Sequence, residues 1–173
     1  MNVEALNLLS YGMYIVSSIS DDKYNGQIAN SVFQVAADPA ILAISINKKN
    51  CTHEYIEKSK LFTVSILEEE TPMTFIGKFG FRCGREFDKF EGTEHKLGVT
   101  GAPIVVENSA AYLEVEVSGS ADAVTHTVFF GKIVNAEILK NVSPMTYAYY
   151  HHVKKGKSPS SAPTFIKTGN LLV

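Results

Sequence analysis

The chain of 173 residues is 45% apolar and 20% charged, a composition typical of one globular domain and unlike that of disordered or fibrous proteins. Sixteen Lys and Arg against eighteen Asp and Glu give a net charge of −2, so neither nucleic acid nor an anionic membrane is an expected partner. No apolar run is long enough to span a bilayer, no signal peptide is evident before Lys23, and two cysteines are too few for a disulfide framework. These features predict a single cytoplasmic domain over residues 1–173.

Short apolar segments separated by turn residues predict strands in the first part of the chain, after a short helix at residues 4–9. The pair Asn25-Gly26 closes a polar turn and indicates a hairpin between the first two strands. Asp38-Pro39 is expected to end the second. The predicted strands cover residues 13–20, 27–36, 41–46 and 61–66.

Three further segments have helical features. The first is residues 52–59, with Asn50 or Thr52 as its cap. In the second, Thr71 is the expected cap, Pro72 the first helical residue and Gly80 the stop. The third is residues 145–153, preceded by Ser143-Pro144, which is read as a cap and a first helical residue.

The rest of the chain predicts a long loop and a second group of strands. Residues 81–103 are rich in glycine and charge and indicate a surface loop. Residues 113–117 alternate, so Glu114 and Glu116 are expected to face water, and residues 118–120 to form a turn. Residues 124–139 predict a long strand, in which Gly131 permits a bulge or bend, and 154–163 a basic loop. Together these elements predict a mostly antiparallel barrel with helical additions, because closure removes exposed sheet edges.

Motifs of several enzyme classes are absent. The sequence contains no P-loop, no G-x-G-x-x-G, no H-E-x-x-H and no C-x-x-C. Its five histidines do not have the spacing of metal ligands, so no metal site is expected.

Residues 45–53 form the first candidate binding segment. A predicted strand passes through Lys48 and Lys49 into the start of a helix, which brings basic, amide and hydroxyl groups to a point where a phosphate can bind. The alternative is a capped helix after a solvated basic turn.

Residues 25–33 form the second candidate segment. Gln27, Asn30 and Ser31 interrupt a predicted strand and need hydrogen-bond partners, which a planar heterocycle with carbonyl and N–H groups would supply. The alternative is an exposed edge strand.

Several segments, in order, carry a resemblance to a known family. They are Tyr11–Val16, Asn25–Val35, Asp38-Pro39, Asn50–Thr52, Gly84–Phe90, His126–Gly131 and the tail from Met145 to Thr164. This series is similar to the flavin reductase-like family of FMN-binding split barrels, in the branch of flavoredoxins and of the flavin domain of high-molecular-weight rubredoxins. The resemblance implies a mostly β, antiparallel Greek-key split barrel with short flanking α-helices.

The resemblance also implies a homodimer that binds one FMN per subunit near its interface. His126 would lie near the flavin or nicotinamide, although Thr125 stands where relatives often have an aspartate. Lys154–Lys157 is a candidate docking loop for an acidic carrier. The residues implied to bind the cofactor are Gln27, Ile28, Ala29, Asn30, Ser31, Ser45, Ile46, Asn47, Asn50, Cys51, Thr52, Lys89, Phe90, Tyr150 and His151.

The implied activity is transfer of hydride from NADH or NADPH to bound FMN, with electrons passing to a small redox protein such as rubredoxin, to free flavin or to another acceptor. The alternative within the family is a non-catalytic FMN electron carrier, like flavoredoxin, that does not use NAD(P)H. A third reading is a barrel that binds another phosphorylated ligand, such as pyridoxal phosphate, or none. No motif selects between NADH and NADPH.

Overall fold

The structure of the protein is a computed structural model that describes residues 2–165; the remainder of the predicted domain, residues 1 and 166–173, lies outside the described residues. A 3-10 helix at Val3–Leu8 is followed by nine strands and three short α-helices. The strands are β1 (Tyr14–Ser20), β2 (Lys23–Ala29), β3 (Val32–Ala37), β4 (Ala40–Asn47), β5 (Leu61–Leu67), β6 (His95–Leu97), β7 (Pro103–Val105), β8 (Ser109–Ala123) and β9 (His126–Ile138). The helices are α1 (Cys51–Ser59), α2 (Met73–Phe81) and α3 (Tyr147–His152).

Seven strands form one sheet in the order β2-β1-β5-β8-β9-β4-β3, and β6 pairs with β7 in a separate small sheet. Every pairing is antiparallel. This architecture confirms the predicted mostly β, antiparallel fold class. Within residues 2–165, no helix is long and apolar enough to cross a membrane.

The strands contribute side chains to two apolar clusters, because successive side chains of a strand point to opposite faces of the sheet. Along β1, Ile15 belongs to a cluster with Ile76 and Phe79 of α2. Its neighbour Val16 belongs to a second cluster with Ile56 of α1. The two helices therefore pack on opposite faces of this part of the sheet.

The first hairpin is confirmed, but its predicted turn is wrong. The turn lies at Asp21-Asp22, whose φ angles of 48° and 59° are those of a turn that aspartate tolerates, while Asn25-Gly26 lies inside β2. The single strand predicted over 27–36 is also wrong, because the chain changes partner at Asn30-Ser31. Beyond that point it pairs with β4, where the Ser45 amide donates to the Ser31 carbonyl at 3.0 Å.

Two predicted helix boundaries are wrong. Pro72, not Thr71, occupies the cap position of α2, and the helix continues through Gly80 to Phe81. The third helix does not begin at Ser143-Pro144: Thr146 is its cap, and its side chain accepts a hydrogen bond from the amide of Tyr149. By contrast, α1 has Asn50 at its cap position, as predicted, although the amide side chain does not cap the helix.

The second half of the chain departs from prediction at three points. The predicted surface loop over 81–103 contains β6 and reaches the start of β7, and Lys89, Phe90 and Thr93 within it are buried. Glu114 does not face water but is fully buried, because Val99, Thr100 and Asn135 donate hydrogen bonds to its carboxylate at 2.8–3.2 Å. Residues 118–120 do not turn the chain; the register shifts between Val117 and Gly119 as in a β-bulge, and the strand continues to 123.

Candidate functional site

A cavity of about 290 Å³ opens between the ends of β2 and β4, the start of α1, the end of α2 and the chain that follows α3. Its volume lies near the lower end of the range for small-molecule sites, roughly 300–1,000 Å³. Apolar and polar side chains divide its wall. The apolar wall includes Met13, Ile28, Ala29, Ile76, Phe79 and Tyr147.

Most residues that the sequence implied for the cofactor line this cavity: Gln27, Ile28, Ala29, Asn30, Ser45, Asn47, Asn50, Cys51, Thr52, Lys89 and Tyr150. Four do not. Ile46 and Phe90 are buried in the two apolar clusters, Ser31 donates a hydrogen bond to the side chain of Asn30, and His151 packs edge-on against the ring of Tyr147. The residues are therefore brought together from segments far apart in sequence.

The polar end of the cavity is built around the start of α1. The Asn25 amide donates to the Thr52 hydroxyl at 2.9 Å, and the Asn50 amide donates to the side-chain oxygen of Gln27 at 3.0 Å. The first backbone N–H groups of a helix have no carbonyl partner within it, and the helix dipole adds positive potential. Gly84 closes this end: a Cβ there would lie 2.0 Å from the Asn25 side chain.

The charges around the cavity have one sign. Lys49, Arg82, Arg85, Lys89 and Lys157 line it, and the described lining residues include no Asp or Glu. Of these, the Arg85 guanidinium forms an ion pair with Glu54 of α1, which lies outside the lining. Such a surface attracts an anionic ligand.

Lys89 is the most deeply buried of these basic groups, with 4% of its surface exposed. Its ammonium donates to the carbonyls of Gly26 at 2.8 Å and Phe79 at 3.1 Å. Burial lowers the pKa of this lysine from 10.5 to about 8, because the surroundings disfavour the charged form. At neutral pH it is a buried cation beside the cavity.

The two cysteines lie in different environments at the cavity. Cys51 is buried at the first position of α1, and burial raises the pKa of its thiol, which keeps it protonated. Cys83 is exposed, between Arg82 and Gly84 in the loop after α2.

Residues 156–164, which follow α3 and are here called the strap, cross the open side of the cavity. On the near side, the Gly156 amide donates to the Tyr150 carbonyl and the Tyr150 hydroxyl donates to the Lys157 carbonyl, both at 2.9 Å. On the far side, the Asn47 amide donates to the Ser161 carbonyl at 3.3 Å. Six strap residues line the cavity: Lys157, Ser158, Pro159, Ser161, Ala162 and Pro163.

His126 lies at the start of β9 and also contacts the strap. Its Nε2 is 3.2 Å from the Ser161 carbonyl, and its Nδ1 is 2.8 Å from the Thr125 hydroxyl. The ring is buried and does not itself line the cavity. The hydroxyl of Thr125 therefore contacts the His126 ring at the position where relatives often have an aspartate carboxylate.

Sequence reasoning missed two parts of this wall. The strap was interpreted as a basic loop and as part of the resemblance but not as a wall of the cavity, and Asn25 was placed in a turn although it begins the candidate segment 25–33. The Gly84–Phe90 segment was noted for its resemblance, but the positions of Arg82, Cys83 and Arg85 at the cavity were not predicted. Ser158-Pro159 and Ala162-Pro163, which combine small side chains with proline, were the available signal for an ordered segment close to other backbone.

Comparison with known proteins places this geometry in a family. The chain matches the flavin reductase-like domain over residues 6–157. It is 48% identical to a ferric-chelate reductase (NAD(P)H) of Archaeoglobus fulgidus, over 97% of this chain and 99% of the relative. It is 47% identical to a high molecular weight rubredoxin of Moorella thermoacetica, over 95% of this chain and 72% of the relative.

A solved structure supports the same assignment. The FMN-binding protein of Thermus thermophilus superposes with a TM-score of 0.70 at 26% identity, over 76% of this chain and 72% of that protein. These matches confirm the family, fold class and enzyme class that the sequence motifs implied. The chain belongs to the flavin reductase-like family of oxidoreductases.

Proposed function

We propose that this protein is an NAD(P)H-dependent FMN oxidoreductase formed by one flavin reductase-like domain over residues 1–173. The observation that carries the proposal is the cavity, which joins an apolar wall to a polar, basic end at the start of α1. The Archaeoglobus relative, a ferric-chelate reductase named for NAD(P)H, supports the nicotinamide donor.

The residues present fit FMN. Cys51 and Thr52 offer backbone N–H groups, Thr52 a hydroxyl and Asn50 its side chain to a phosphate at the start of α1, near Arg85 and Lys49. Ile28 and Ala29 provide an apolar wall for a planar ring. Gln27, Asn30 and Asn47 provide amides for the polar edge of that ring.

A flavin bound here supplies a carrier that accepts a hydride from a dihydronicotinamide and passes electrons onward. The task of the chain is to hold the two ring systems in contact and to stabilise negative charge on the reduced carrier. The buried Lys89 ammonium supplies positive charge beside the cavity. His126 orients the strap rather than acting as a nucleophile or an acid, because its Nε2 lies against the Ser161 carbonyl.

The acceptor we propose is a small external redox partner, such as a rubredoxin, with a ferric chelate and free flavin as the other candidates. The Moorella relative, a high molecular weight rubredoxin, supports the first candidate, and the Archaeoglobus relative supports the second. Lys155, just before the strap, and Lys157, within it, are exposed and provide a basic surface for an acidic partner. An unchanged rate of rubredoxin reduction by the Lys155→Ala/Lys157→Ala variant would count against that surface.

We also propose that the protein is a homodimer with its flavin sites near the interface. Exposed Phe33 and Val35 on the edge strand β3 support a second copy at that edge, because an unpaired apolar strand edge favours association. Light scattering of Phe33→Lys against the unmodified protein tests this assignment. A mass of one chain for the unmodified protein would overturn it.

The central experiment is anaerobic spectroscopy of the protein with stoichiometric FMN, before and after NADH and then NADPH. Bleaching of the flavin absorbance by either nicotinamide supports the reductase. If only dithionite or a reduced electron-transfer protein bleaches the bound flavin, the protein is a pure electron carrier and not a reductase. Failure to bind FMN at all would overturn the cavity assignment, and pyridoxal phosphate would then be the next ligand to test.

A further inference from the structure

The strap runs from α3 to the ends of the strands at the cavity, and six of its residues line the cavity. Its near end is fixed at α3: a Cβ on Gly156 would lie 2.1 Å from the Tyr150 ring, so glycine is required for that contact. The Nδ1 of His151 lies 2.9 Å from the Gly156 carbonyl. The strap therefore leaves α3 in a fixed direction, toward the cavity.

The far end of the strap is attached to three strands. The Asn30 amide at the end of β2 donates to the Thr164 hydroxyl at 2.9 Å. Asn47 at the end of β4 and His126 at the start of β9 converge on the Ser161 carbonyl. The ends of β2 and β4 also form part of the polar wall of the cavity, and His126 lies behind the strap.

One aromatic side chain contacts two hydroxyls of the strap, one near its start and one at its far end. The Tyr147 hydroxyl contacts the Ser158 hydroxyl and lies 3.0 Å from the Thr164 hydroxyl. Tyr147 itself lines the cavity. A ligand inside the cavity and the strap above it thus share the same side chain.

The strap is fixed by polar contacts and has almost no apolar anchors, since its described residues are Gly, Lys, Ser, Pro, Ala and Thr. Proline reduces the freedom of the open segment, so closing it costs less conformational entropy. A segment of this kind can open without withdrawing large apolar side chains of its own from a core. It is suited to controlling how fast a bound molecule leaves.

We propose that the strap retains the flavin, so that FMN is a resident cofactor through turnover and not a substrate that is released after reduction. This inference rests on the proposed function. Its consequence is that electrons leave the site while the flavin stays, which selects external one- or two-electron acceptors over free flavin as the physiological route.

The test compares the dissociation rate of FMN from the unmodified protein and from Ser158→Ala/Thr164→Val. The double variant removes only strap hydroxyls and keeps the strands and α3 intact. Dissociation is followed after dilution into excess apoflavodoxin, a protein that traps FMN, by the change in flavin absorbance as FMN passes to the trap. Asn141→Ala, at an exposed position outside the cavity lining, is the matched control.

We expect the double variant to release FMN about ten- to a hundredfold faster, because four hydroxyl contacts of the strap, with Tyr147, His151 and Asn30, are lost and each contributes modestly. The control variant keeps the rate of the unmodified protein. A second variant, a chain ending at Lys155, is expected to release FMN faster still, with its fold checked by circular dichroism.

Two results would overturn the proposal. One is equal dissociation rates for all variants. The other is faster association with unchanged dissociation in the shortened chain, which would make the strap an obstacle to binding. Both results can be obtained only if the unmodified protein binds FMN measurably. If the unmodified protein does not bind FMN, the proposed function itself is refuted. Failure of the strap proposal is therefore distinguishable from failure of the proposed function.

Discussion

Lys89 gives a prediction whose size follows from its burial. Its pKa falls from 10.5 to about 8, a gap of about 2.5 pH units, and each unit corresponds to about 1.4 kcal/mol. Because the folded-state pKa lies below the unfolded value, the unfolded chain binds more protons between pH 8 and pH 10.5. The contribution of Lys89 to stability therefore rises through this window, by up to about 3 kcal/mol in total.

The assay is urea unfolding of the unmodified protein and of Lys89→Met at several pH values from 7.5 to 10. Methionine keeps the apolar stem without the charge. Groups such as Tyr14 and Tyr150, whose pKa values burial raises, titrate in both proteins and cancel in the difference. We expect the free energy of unfolding of the unmodified protein, relative to that of the variant, to increase as the pH rises. A difference in unfolding free energy that does not change with pH would refute the assigned burial of the ammonium.

Three other changes have defined outcomes. Glu114→Ala leaves the Val99 and Thr100 donors without their carboxylate and should lower the free energy of unfolding in urea by at least about 3 kcal/mol. Glu116→Ala, at an exposed position on the same strand, should change it by no more than about 0.5 kcal/mol. Equal losses of stability would contradict the buried role of Glu114. Thr52→Val should weaken FMN binding about tenfold by fluorescence titration, because the phosphate end loses a hydroxyl, and unchanged affinity would place the phosphate elsewhere. Burial lowers the pKa of His53, although the nearby Glu57 charge opposes this shift. The free energy of unfolding should therefore fall as the pH drops below about 6.5, the pKa in the unfolded chain. The fall should be smaller in His53→Phe.

The parts of the fold that sequence predicted best are those in which local pattern and tertiary environment agree. β1, β4 and β5 are short β-branched runs bounded by turns, and they form where alternation and propensity placed them. The start of α1 was likewise marked by Asn50 and by the end of the preceding strand. In these segments the residues that decide the structure are neighbours in sequence.

The predictions fail where the structure of a segment depends on residues that are distant in sequence. Nothing within residues 113–117 distinguishes Glu114 from Glu116, and donors from the loop at 98–101 and from Asn135 make Glu114 a buried acceptor. In the same way, Asn25-Gly26 has the pattern of a turn, yet Asp21-Asp22 turns first and leaves Asn25 free to bond Thr52. A local motif gives the range of permitted conformations, and long-range contacts select among them.

The candidate site shows the same division. The two segments at 25–33 and 45–53 were identified from polar side chains in apolar surroundings, a local signal. The strap and the burial of Lys89 were not, because each depends on contacts between segments more than sixty residues apart, such as the 2.8 Å bond from Lys89 to the Gly26 carbonyl. Family resemblance supplied Lys89 as a candidate where the chemistry of the loop alone did not.

Charge shows why whole-chain composition and the site point to different ligands. The net charge of −2 argues against a polyanion, which samples the field of the whole molecule. A small phosphate inside the cavity samples only the charges within about 8–10 Å, since salt screens the rest. The charged residues that line the cavity are lysines and arginines, with no acidic group among the described lining residues, and Glu54 pairs with Arg85 from outside the lining. A mildly acidic protein can thus bind a phosphorylated cofactor tightly, and the separation of the two fields favours small anions over large ones.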